Sequence, residues 1–407
     1  MNNLFLPLSN DSLNLQRKLL KLIDDVFPIP SRFKKDLHRD VADLSRLFTS
    51  NRDERGKSYL GKPALLSAYL RYFLPWNIYR LCRLLPSLPL TLKANDAIND
   101  LGSGPLTFAA ALWISRPELR KLPLEIRCID KTPAILEAGK KLFMALTTES
   151  GSGKTGTINE KHSKCPWTIK TIRGEVKNYG NYRLSTDIRG KPAALTTAIN
   201  LYNEIFWDFS LGSREKLQYF ADCQGHLLSS ITEGAILVLE PGIPRSGEFI
   251  SLLRDALYEN GHYALAPCTH NNGCPLTGGF KKKWCHFAFD TEDAPPSLHK
   301  LSEAAGLPKE RAVLSFIYTD DHSDSPAKDT ALAARVCSDA FPIKTENGQN
   351  SWGRYACSEK GLILLYGSRR EVEAAYAGEL VKITTECKKD KKSGAILAPL
   401  LADVRKV

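Results

Sequence analysis

Alternation between short apolar segments and helical segments, from about residue 95 to residue 262, is the feature that most restricts the fold of this chain. Runs with strand character, such as EIRCID (125–130) and GAILVLEPG (234–242), are separated by helix-type segments such as TPAILEAGKKLFMAL (132–146). Strands that alternate with helices in this way are typical of a parallel sheet with helices on both faces. The 407 residues suffice for such a sheet and for further units beside it. We therefore predict an α/β fold with a doubly wound, Rossmann-like sheet.

The segments on either side of this alternation have different patterns. Residues 1–90 carry leucine at helical spacing and predict a helical N-terminal region. The alternating core is predicted over 91–262 and a cysteine-rich, metal-binding insert over 263–310. Further apolar segments in 311–380 predict C-terminal strands that complete the sheet, and 381–407 is predicted to be a basic tail.

A glycine-rich turn follows the first predicted strand, in INDLGSGP (98–105). Asp100, Gly102 and Gly104 form an Asp-x-Gly-x-Gly pattern, in which glycine lets the backbone turn tightly and approach a ligand. The third glycine of the dinucleotide pattern is absent, which disfavours a nicotinamide cofactor and suits S-adenosyl-L-methionine, a cofactor without a pyrophosphate. Asp130 ends the second predicted strand, where a carboxylate is placed to accept both ribose hydroxyls. Asp130 could instead cap the helix that follows it.

The segment NLYNEI (200–205) ends the fourth predicted strand, at the edge of the sheet where this fold places ligand-facing groups. Asn200 is predicted to contact the cofactor, and Asn203 and Glu204 are the candidates for catalysis. The segment lacks the Asn-Pro-Pro-Tyr type of signature and has no cysteine for covalent attack, so the motif alone does not establish catalysis. Glu204 could also simply pair with a basic neighbour.

A polar stretch rich in Gly and Pro, PCTHNNGCPLTGGFKKKWCHF (267–287), is a candidate metal site. It contains three cysteines, Cys268, Cys274 and Cys285. Because the stretch is too polar for the core, these thiols indicate metal ligands, although their spacing differs from that of zinc fingers and ferredoxins. The fourth ligand has to come from His270, His286 or a distant cysteine, of which Cys357 is the best candidate. Four thiolates suit an iron–sulfur cluster or a structural zinc ion, and spacing does not choose between them.

Basic residues exceed acidic residues by 56 to 45, which gives a net charge of +11. A surplus of this size makes a polyanion a candidate partner, because phosphate neutralisation drives nucleic-acid binding; ordinary solubility is the alternative. The sequence shows no secretory signal, no convincing mitochondrial presequence and no apolar run long enough to span a bilayer. We therefore expect no membrane partner, and we expect the 10 cysteines to be thiols or ligands in a reducing compartment.

Several stretches together resemble the methyltransferase-like family of the mitochondrial small ribosomal subunit and its bacterial relatives, the Rsm-type family. The Glu-Pro-Gly turn combined with the cysteine pattern is the most specific part of this resemblance, which spans Ser67 to Phe287 and is weaker around Cys357. The matching stretches are SAYLRYFLPWNIYRL, INDLGSGP, LYNEI, LVLEPGIPRSGEFI, APCTHNNGCP and WCHF. A lysine run at 281–283 lengthens the loop before Trp284 relative to the family.

The resemblance implies a class I methyltransferase fold with a 4Fe-4S cluster on four cysteines. By position these are Cys268, Cys274, Cys285 and Cys357, with Cys337 as the rival for the fourth place. It also implies binding to small-subunit ribosomal RNA during ribosome assembly. The protein would act either as an S-adenosyl-L-methionine-dependent rRNA methyltransferase or as a catalytically inactive assembly factor. We expect a monomer when free, located in the bacterial cytoplasm or, as the alternative, in the mitochondrial matrix.

Overall fold

Two β-sheets with packed helices form the protein. A computed structural model describes residues 3–50, 62–150, 165–176, 192–206, 213–278, 283–321, 332–344, 349–383 and 388–400. The first sheet contains β1 (Ala97–Leu101), β2 (Glu125–Asp130), β3 (Thr168–Arg173), β4 (Ala193–Ile199), β5 (Thr232–Pro241), β6 (Tyr263–Ala266), β7 (Phe287–Asp290) and β8 (Arg311–Asp320).

The strand order of the first sheet is β3-β2-β1-β4-β5-β8-β6, and β7 also pairs with β8. Strands β1 to β5 are parallel, whereas β8 runs antiparallel to β5, β6 and β7. An antiparallel strand inserted beside the fifth parallel strand is the arrangement of class I methyltransferases, so the predicted Rossmann-like fold is confirmed. The chain reverses its winding direction at β1 and β4, and ligands bind at such a switch point, beyond the carboxyl ends of the strands.

Helices cover both faces of this sheet. The N-terminal region contains α1 (Asn10–Val26), α2 (Ser31–Lys34), α3 (Leu37–Phe48), α4 (Pro63–Ala68), a π-helical turn (Tyr69–Phe73) and α5 (Leu74–Leu84). The core adds α6 (Thr107–Ser115), α7 (Pro133–Ser150), α8 (Tyr202–Ile205), α9 (Arg214–Ser230), α10 (Pro244–Glu259) and α11 (Pro296–Ala304). α6 is buried along its whole length because its sequence offers almost no polar face. Within the described ranges, none of the helices is both long and apolar enough to cross a bilayer.

A second sheet was not predicted from the sequence. It contains β9 (Leu332–Val336), β10 (Phe341–Lys344), β11 (Asn350–Ser358), β12 (Gly361–Gly367), β13 (Leu380–Ile383) and β14 (Ile396–Pro399), with α12 (Arg369–Ala374) beside it. The prediction that residues 311–380 complete the first sheet is therefore wrong beyond β8. Both edges of β8 are already occupied, by β5 on one side and by β6 and β7 on the other, so the later strands pair with one another. The predicted basic tail, 381–407, contributes β14 and most of β13 to this second sheet.

The cysteine-rich stretch leaves the first sheet after β6 and returns at β7, so the excursion covers 267–286 rather than the predicted 263–310. It contacts the second sheet directly. The Thr269 hydroxyl donates to the Ala333 carbonyl at 3.4 Å, and the Asn272 side-chain amide donates to the Glu359 carbonyl at 3.2 Å. The excursion therefore lies where the two sheets meet.

Candidate cofactor cavity and thiol cluster

The glycine turn after β1 is shaped by two residues with positive φ. Gly102 has φ +65° and Gly104 has φ +53°, in the left-handed region that glycine adopts without strain. A Cβ atom on Gly102 would lie 2.7 Å from Cδ1 of Leu201, closer than real contacts allow. Glycine at this position therefore lets the turn pack directly against the segment that follows β4.

Asp100 supports this turn and does not line the cavity beside it. Its side chain is buried, with 1% exposure, and accepts hydrogen bonds from the Ser103 hydroxyl at 2.5 Å and the Thr197 hydroxyl at 2.9 Å. Thr197 is the cross-strand neighbour of Asp100 in the β1–β4 register. Burial raises the pKa of Asp100 to about 7, although the two hydroxyl donors act in the opposite direction. The structure thus gives this predicted cofactor-binding residue a supporting position under the turn.

The raised pKa of Asp100 predicts a specific dependence of stability on pH. Below about pH 3.8 the carboxyl is protonated in both states; between that value and about pH 7 only the folded state keeps the proton. Rising pH in this window therefore removes stability, by up to about 1.4 kcal/mol per pH unit. We expect the unfolding free energy of the wild type minus that of Asp100→Asn to fall from pH 4.5 to pH 7. Urea titrations followed by circular dichroism measure this difference, and parallel pH profiles for the two proteins would contradict it.

Asp130 and Asn200 flank the glycine turn and both line the cavity. The Asp130 carboxylate accepts from the Gly104 N–H at 3.0 Å and from the Thr132 N–H at 2.8 Å, so it ties the turn to the start of α7. Asn200 has φ +55°, and its Oδ1 is buried without a hydrogen-bond partner in the described part of the chain. An unsatisfied buried acceptor is costly, so a donor from a bound ligand or from water would complete Asn200.

Glu240, at the end of β5, orients the segment that carries Asn203 and Glu204. Its fully buried carboxylate accepts the backbone N–H groups of Tyr202 at 2.7 Å and Asn203 at 3.1 Å. Burial raises the pKa of Glu240 to about 8, against the effect of these two hydrogen bonds. Asn203 and Glu204 both line the cavity. Glu240 had no assigned role from the sequence, because its two partners are not adjacent to it along the chain.

A cavity of about 780 Å³ opens at the carboxyl edge of the first sheet. Its cofactor half is lined by Gly102, Gly104, Asp130, Lys131, Asn200 and Leu201. Its helix-side half is lined by Phe48, Tyr69, Phe73, Arg80, Lys309 and Val313. The first group contains the predicted cofactor residues other than Asp100. The second group had no predicted role, since its residues come from the N-terminal helices, from β8 and from the loop before β8.

Five cysteines approach the junction between the two sheets: Cys268, Cys274, Cys285, Cys337 and Cys357. Burial raises the pKa of Cys285 well above its usual value, and repulsion from the other four thiols adds to the rise, which places them near one another. Cys357 Sγ also lies 3.5 Å from Nε2 of His270. Within the described ranges, however, no three Cys, His, Asp or Glu side chains converge tightly enough to hold a metal ion. The structure does not show the predicted metal site, and it leaves Cys337 and Cys357 both beside the cysteines of the excursion.

Two buried arginines surround Cys268. Arg254, 4% exposed, donates to the carbonyls of His270 at 2.9 Å and Asn272 at 2.7 Å, and Arg335 donates to the Pro267 carbonyl at 3.1 Å. Burial raises the pKa of Cys268, and the charge of Arg254 opposes that rise. A cation beside a thiol favours the thiolate, which is the form that binds metals. Sequence reasoning missed both arginines, because nothing in the cysteine pattern points to them.

The comparisons with known proteins agree with the predicted resemblance. The model of the family described as "Mitochondrial small ribosomal subunit Rsm22" matches residues 224–348, less than half of the chain. This range includes Cys268, Cys274, Cys285 and Cys337 but ends before Cys357, and it does not include the glycine turn. The resemblance predicted from the sequence is thereby confirmed. A search of the curated proteins finds no match.

Among solved structures, the chain is similar to methyltransferases at low sequence identity. Magnesium protoporphyrin IX methyltransferase from Synechocystis PCC 6803, with bound SAH, has 6% identity and a TM-score of 0.31, covering 70% of this chain and 100% of that one. A SAM-dependent methyltransferase from Geobacter sulfurreducens, also with SAH, has 11% identity and a TM-score of 0.29, covering 60% and 90%. A putative class I enzyme from Listeria monocytogenes has 10% identity and a TM-score of 0.31, covering 78% and 91%. At such scores the fold assignment rests on the strand order itself.

Proposed function

We propose that this protein binds S-adenosyl-L-methionine in the cavity and acts on, or binds, the RNA of the small ribosomal subunit. The sheet has the strand order of class I methyltransferases, and the cavity lies at its switch point. The family matched over 224–348 is described as a small ribosomal subunit protein. The surplus of 11 basic residues suits an RNA partner, because phosphate neutralisation drives such binding.

The observation that carries the cofactor assignment is the buried, unpartnered Oδ1 of Asn200 beside the glycine turn. The cofactor has donors for the acceptors found there: ribose hydroxyls for the carboxylate of Asp130 and an ammonium group for Asn200. Gly104 leaves open space beside the turn, since a Cβ there would have only the Tyr69 hydroxyl within 4 Å, at 3.9 Å. When bound, S-adenosyl-L-methionine supplies a methyl group carried on a positively charged sulfur.

Asn203 and Glu204 are the residues that we assign to the acceptor. Both line the cavity, and Glu240 holds their segment at the end of the sheet. Glu204 can take the proton that an acceptor nitrogen or oxygen loses, and the Asn203 amide can orient the acceptor group.

We also propose a 4Fe-4S cluster, with zinc as the alternative, on Cys268, Cys274, Cys285 and Cys357. The support for this proposal is that five thiols lie near one another and that the positive charge of Arg254 lies beside Cys268. The described thiols would have to move closer together to bind the group. Cys357 belongs to the second sheet and the other three to the excursion from the first, so a bound cluster would join the two sheets. Its role would be structural, as ligation can stabilise a loop that has little core of its own.

A second candidate function is a small-subunit assembly factor that no longer transfers methyl groups. The position of Tyr202, the aromatic residue in the segment after β4, favours this second function. Tyr202 is fully buried against Phe220 and Phe249, with ring centroids 6.0 and 5.0 Å away. Tyr202 is therefore not available to stack on an acceptor base.

A methyl-transfer assay separates the two functions. Small-subunit RNA from a strain that lacks the gene is incubated with the purified chain and radiolabelled S-adenosyl-L-methionine. Transfer to one nucleotide, lost in Glu204→Ala while cofactor binding persists, supports the methyltransferase. RNA binding without transfer supports the assembly factor, and absence of both transfer and RNA binding refutes the ribosomal assignment.

A further inference from the structure

The helix-side half of the cavity has a chemistry of its own, which cofactor binding does not use. Its lining combines an aromatic surface with positively charged side chains, and Asn203 and Glu204 line the same cavity. We propose that this half is a nucleotide-binding compartment, with a base against the aromatic surface and a phosphate at Arg80 and Lys309. This inference rests on the proposed function and identifies the group that the cavity would present to the cofactor.

The aromatic surface consists of Phe48, Tyr69 and Phe73, which are all only partly buried. The rings of Tyr69 and Phe73 stack, with centroids 5.9 Å apart and planes at 26°. Phe48 meets Phe73 edge-on, with centroids 4.9 Å apart. Together they form a wall on which a flat group can lie, and stacking on aromatic side chains is how proteins hold unpaired bases.

The helix geometry explains how these rings come to face the cavity. Tyr69 and Phe73 are the two ends of a π-helical turn between α4 and α5. The widened turn changes the direction in which the following helix presents its side chains, and such turns occur frequently at functional sites. The Tyr69 hydroxyl would lie 3.9 Å from a Cβ placed on Gly104, so the wall reaches the glycine turn.

The two cations lack carboxylate partners at ion-pair distance within the described ranges. Arg80 donates to the Val313 carbonyl at 3.2 Å and to the side-chain oxygen of Asn77. Both acceptors are neutral. Glu240 attracts Arg80 from farther away, but its carboxylate is occupied by two backbone N–H groups. Lys309 lines the cavity, and partial burial of its ammonium group together with the positive charge of Arg80 lowers its pKa. Two positive charges that line one cavity and repel each other favour binding of an anion between them.

The combination excludes simpler ligands. An aromatic wall alone would suit any flat apolar molecule, and two cations alone would suit any small anion. A group that needs both is flat and carries a negative charge on a short linker, as a nucleotide does. The proposed RNA partner supplies this group as a nucleotide turned out of its strand.

Calorimetric titration of the metal-loaded full chain, saturated with S-adenosylhomocysteine, tests the compartment. The probes are the four nucleoside 5′-monophosphates, the corresponding nucleosides and inorganic phosphate. We expect at least one monophosphate to bind more tightly than its nucleoside and more tightly than phosphate. Three results would overturn the proposal. The nucleosides could bind as tightly as the monophosphates, inorganic phosphate could bind as tightly as the monophosphates, or no probe could bind at all.

Variants show which residues bind the phosphate of the ligand and which bind its base. Lys309→Met and Arg80→Met should weaken monophosphate binding about tenfold and leave nucleoside binding unchanged. Phe73→Leu should weaken both, by about 5-fold or more, because it removes the stacking surface. Lys300→Met is the matched control, since Lys300 is exposed on α11 and does not line the cavity. Equal affinities for the Lys309 and Lys300 variants would contradict the inference even if Arg80→Met failed to fold.

The same titrations keep this inference separate from the proposed function. If S-adenosylhomocysteine binds and small-subunit RNA binds, but no monophosphate does, the compartment is refuted and the proposed function stands. If S-adenosylhomocysteine itself does not bind, the cofactor assignment fails, whatever the nucleotides do.

Discussion

Replacing Cys268 by serine is expected to remove at least nine-tenths of the bound metal from protein that is purified without oxygen. A serine hydroxyl is a poor substitute for a thiolate as a metal ligand. Cys268 lies beside the positive charge of Arg254, which favours its thiolate form. Elemental analysis and visible absorption measure the loss. The matched control is Cys165→Ser, which lies before β3, outside the thiol cluster, and should keep the wild-type metal content.

Loss of the metal should also lower stability, because the proposed ligands would connect the 267–286 excursion to the second sheet. We expect the Cys268→Ser protein to unfold at a lower temperature than the Cys165→Ser protein, and to expose the 267–286 excursion to protease. A Cys268→Ser protein with full metal content would show that the cluster assignment is wrong. A colourless wild-type protein that contains zinc would show that the bound metal is zinc and not an iron–sulfur cluster.

The fourth ligand is decided by a pair of substitutions in the same assay. We predict that Cys357→Ser loses the metal and that Cys337→Ser keeps it. Cys337 already donates to the Tyr355 carbonyl at 3.6 Å, whereas Cys357 Sγ lies 3.5 Å from Nε2 of His270. Burial raises the pKa of both thiols, so their pKa values do not distinguish them. The opposite result would assign the fourth place to Cys337, the cysteine within the matched family region.

Gly139→Ala is expected to destabilise the fold by about 3 kcal/mol and to abolish cofactor binding. Gly139 lies on α7, where a Cβ would be 2.3 Å from the carbonyl carbon of Pro105 and 2.6 Å from its Cα. These are backbone atoms of the glycine turn, so the clash can be relieved only by moving the turn. Urea denaturation and calorimetry with S-adenosylhomocysteine measure the two effects.

The direction of this change is informative, because alanine is favoured over glycine in a helix interior by about 1 kcal/mol. Helix propensity alone therefore predicts stabilisation, and contact with Pro105 predicts the reverse. Gly273→Ala is the control, since a Cβ at Gly273 meets no atom within 4 Å. A Gly139→Ala protein as stable as this control would contradict the packing of α7 against the turn.

Much of the first sheet could be predicted from the sequence because its signals are local. The apolar runs at β2 and β5 and the glycines at 102 and 104 each identify an element within a few residues. The second sheet could not be predicted, because nothing local shows that β8 is already paired along both edges. Strand character in β12 is visible in KGLILLYGS, but its partners are decided by which edges are free.

The site was predictable to the extent that its residues follow strand ends. Asp130, Asn200, Asn203 and Glu204 were placed at the correct edge by this rule, and all of them line the cavity. Asp100 obeys the same rule but points into the turn, because Ser103 and Thr197 offer hydroxyl donors there.

Other residues of the site are brought to it only by tertiary packing. Arg80 and Lys309 reach the cavity from different parts of the chain, and Arg254 reaches the thiol cluster from α10. No spacing rule connects these residues to the motifs that they support.

Equilibrium dialysis of the metal-loaded full chain with radiolabelled S-adenosyl-L-methionine tests the central claim most directly. We predict saturable binding at one site per chain, lost in Asp130→Ala and retained in Lys300→Met. Asp130 both ties the glycine turn and faces the cavity, whereas Lys300 lies outside it. Absence of binding in protein with a full complement of metal, or equal binding by the Asp130→Ala variant, would contradict the account.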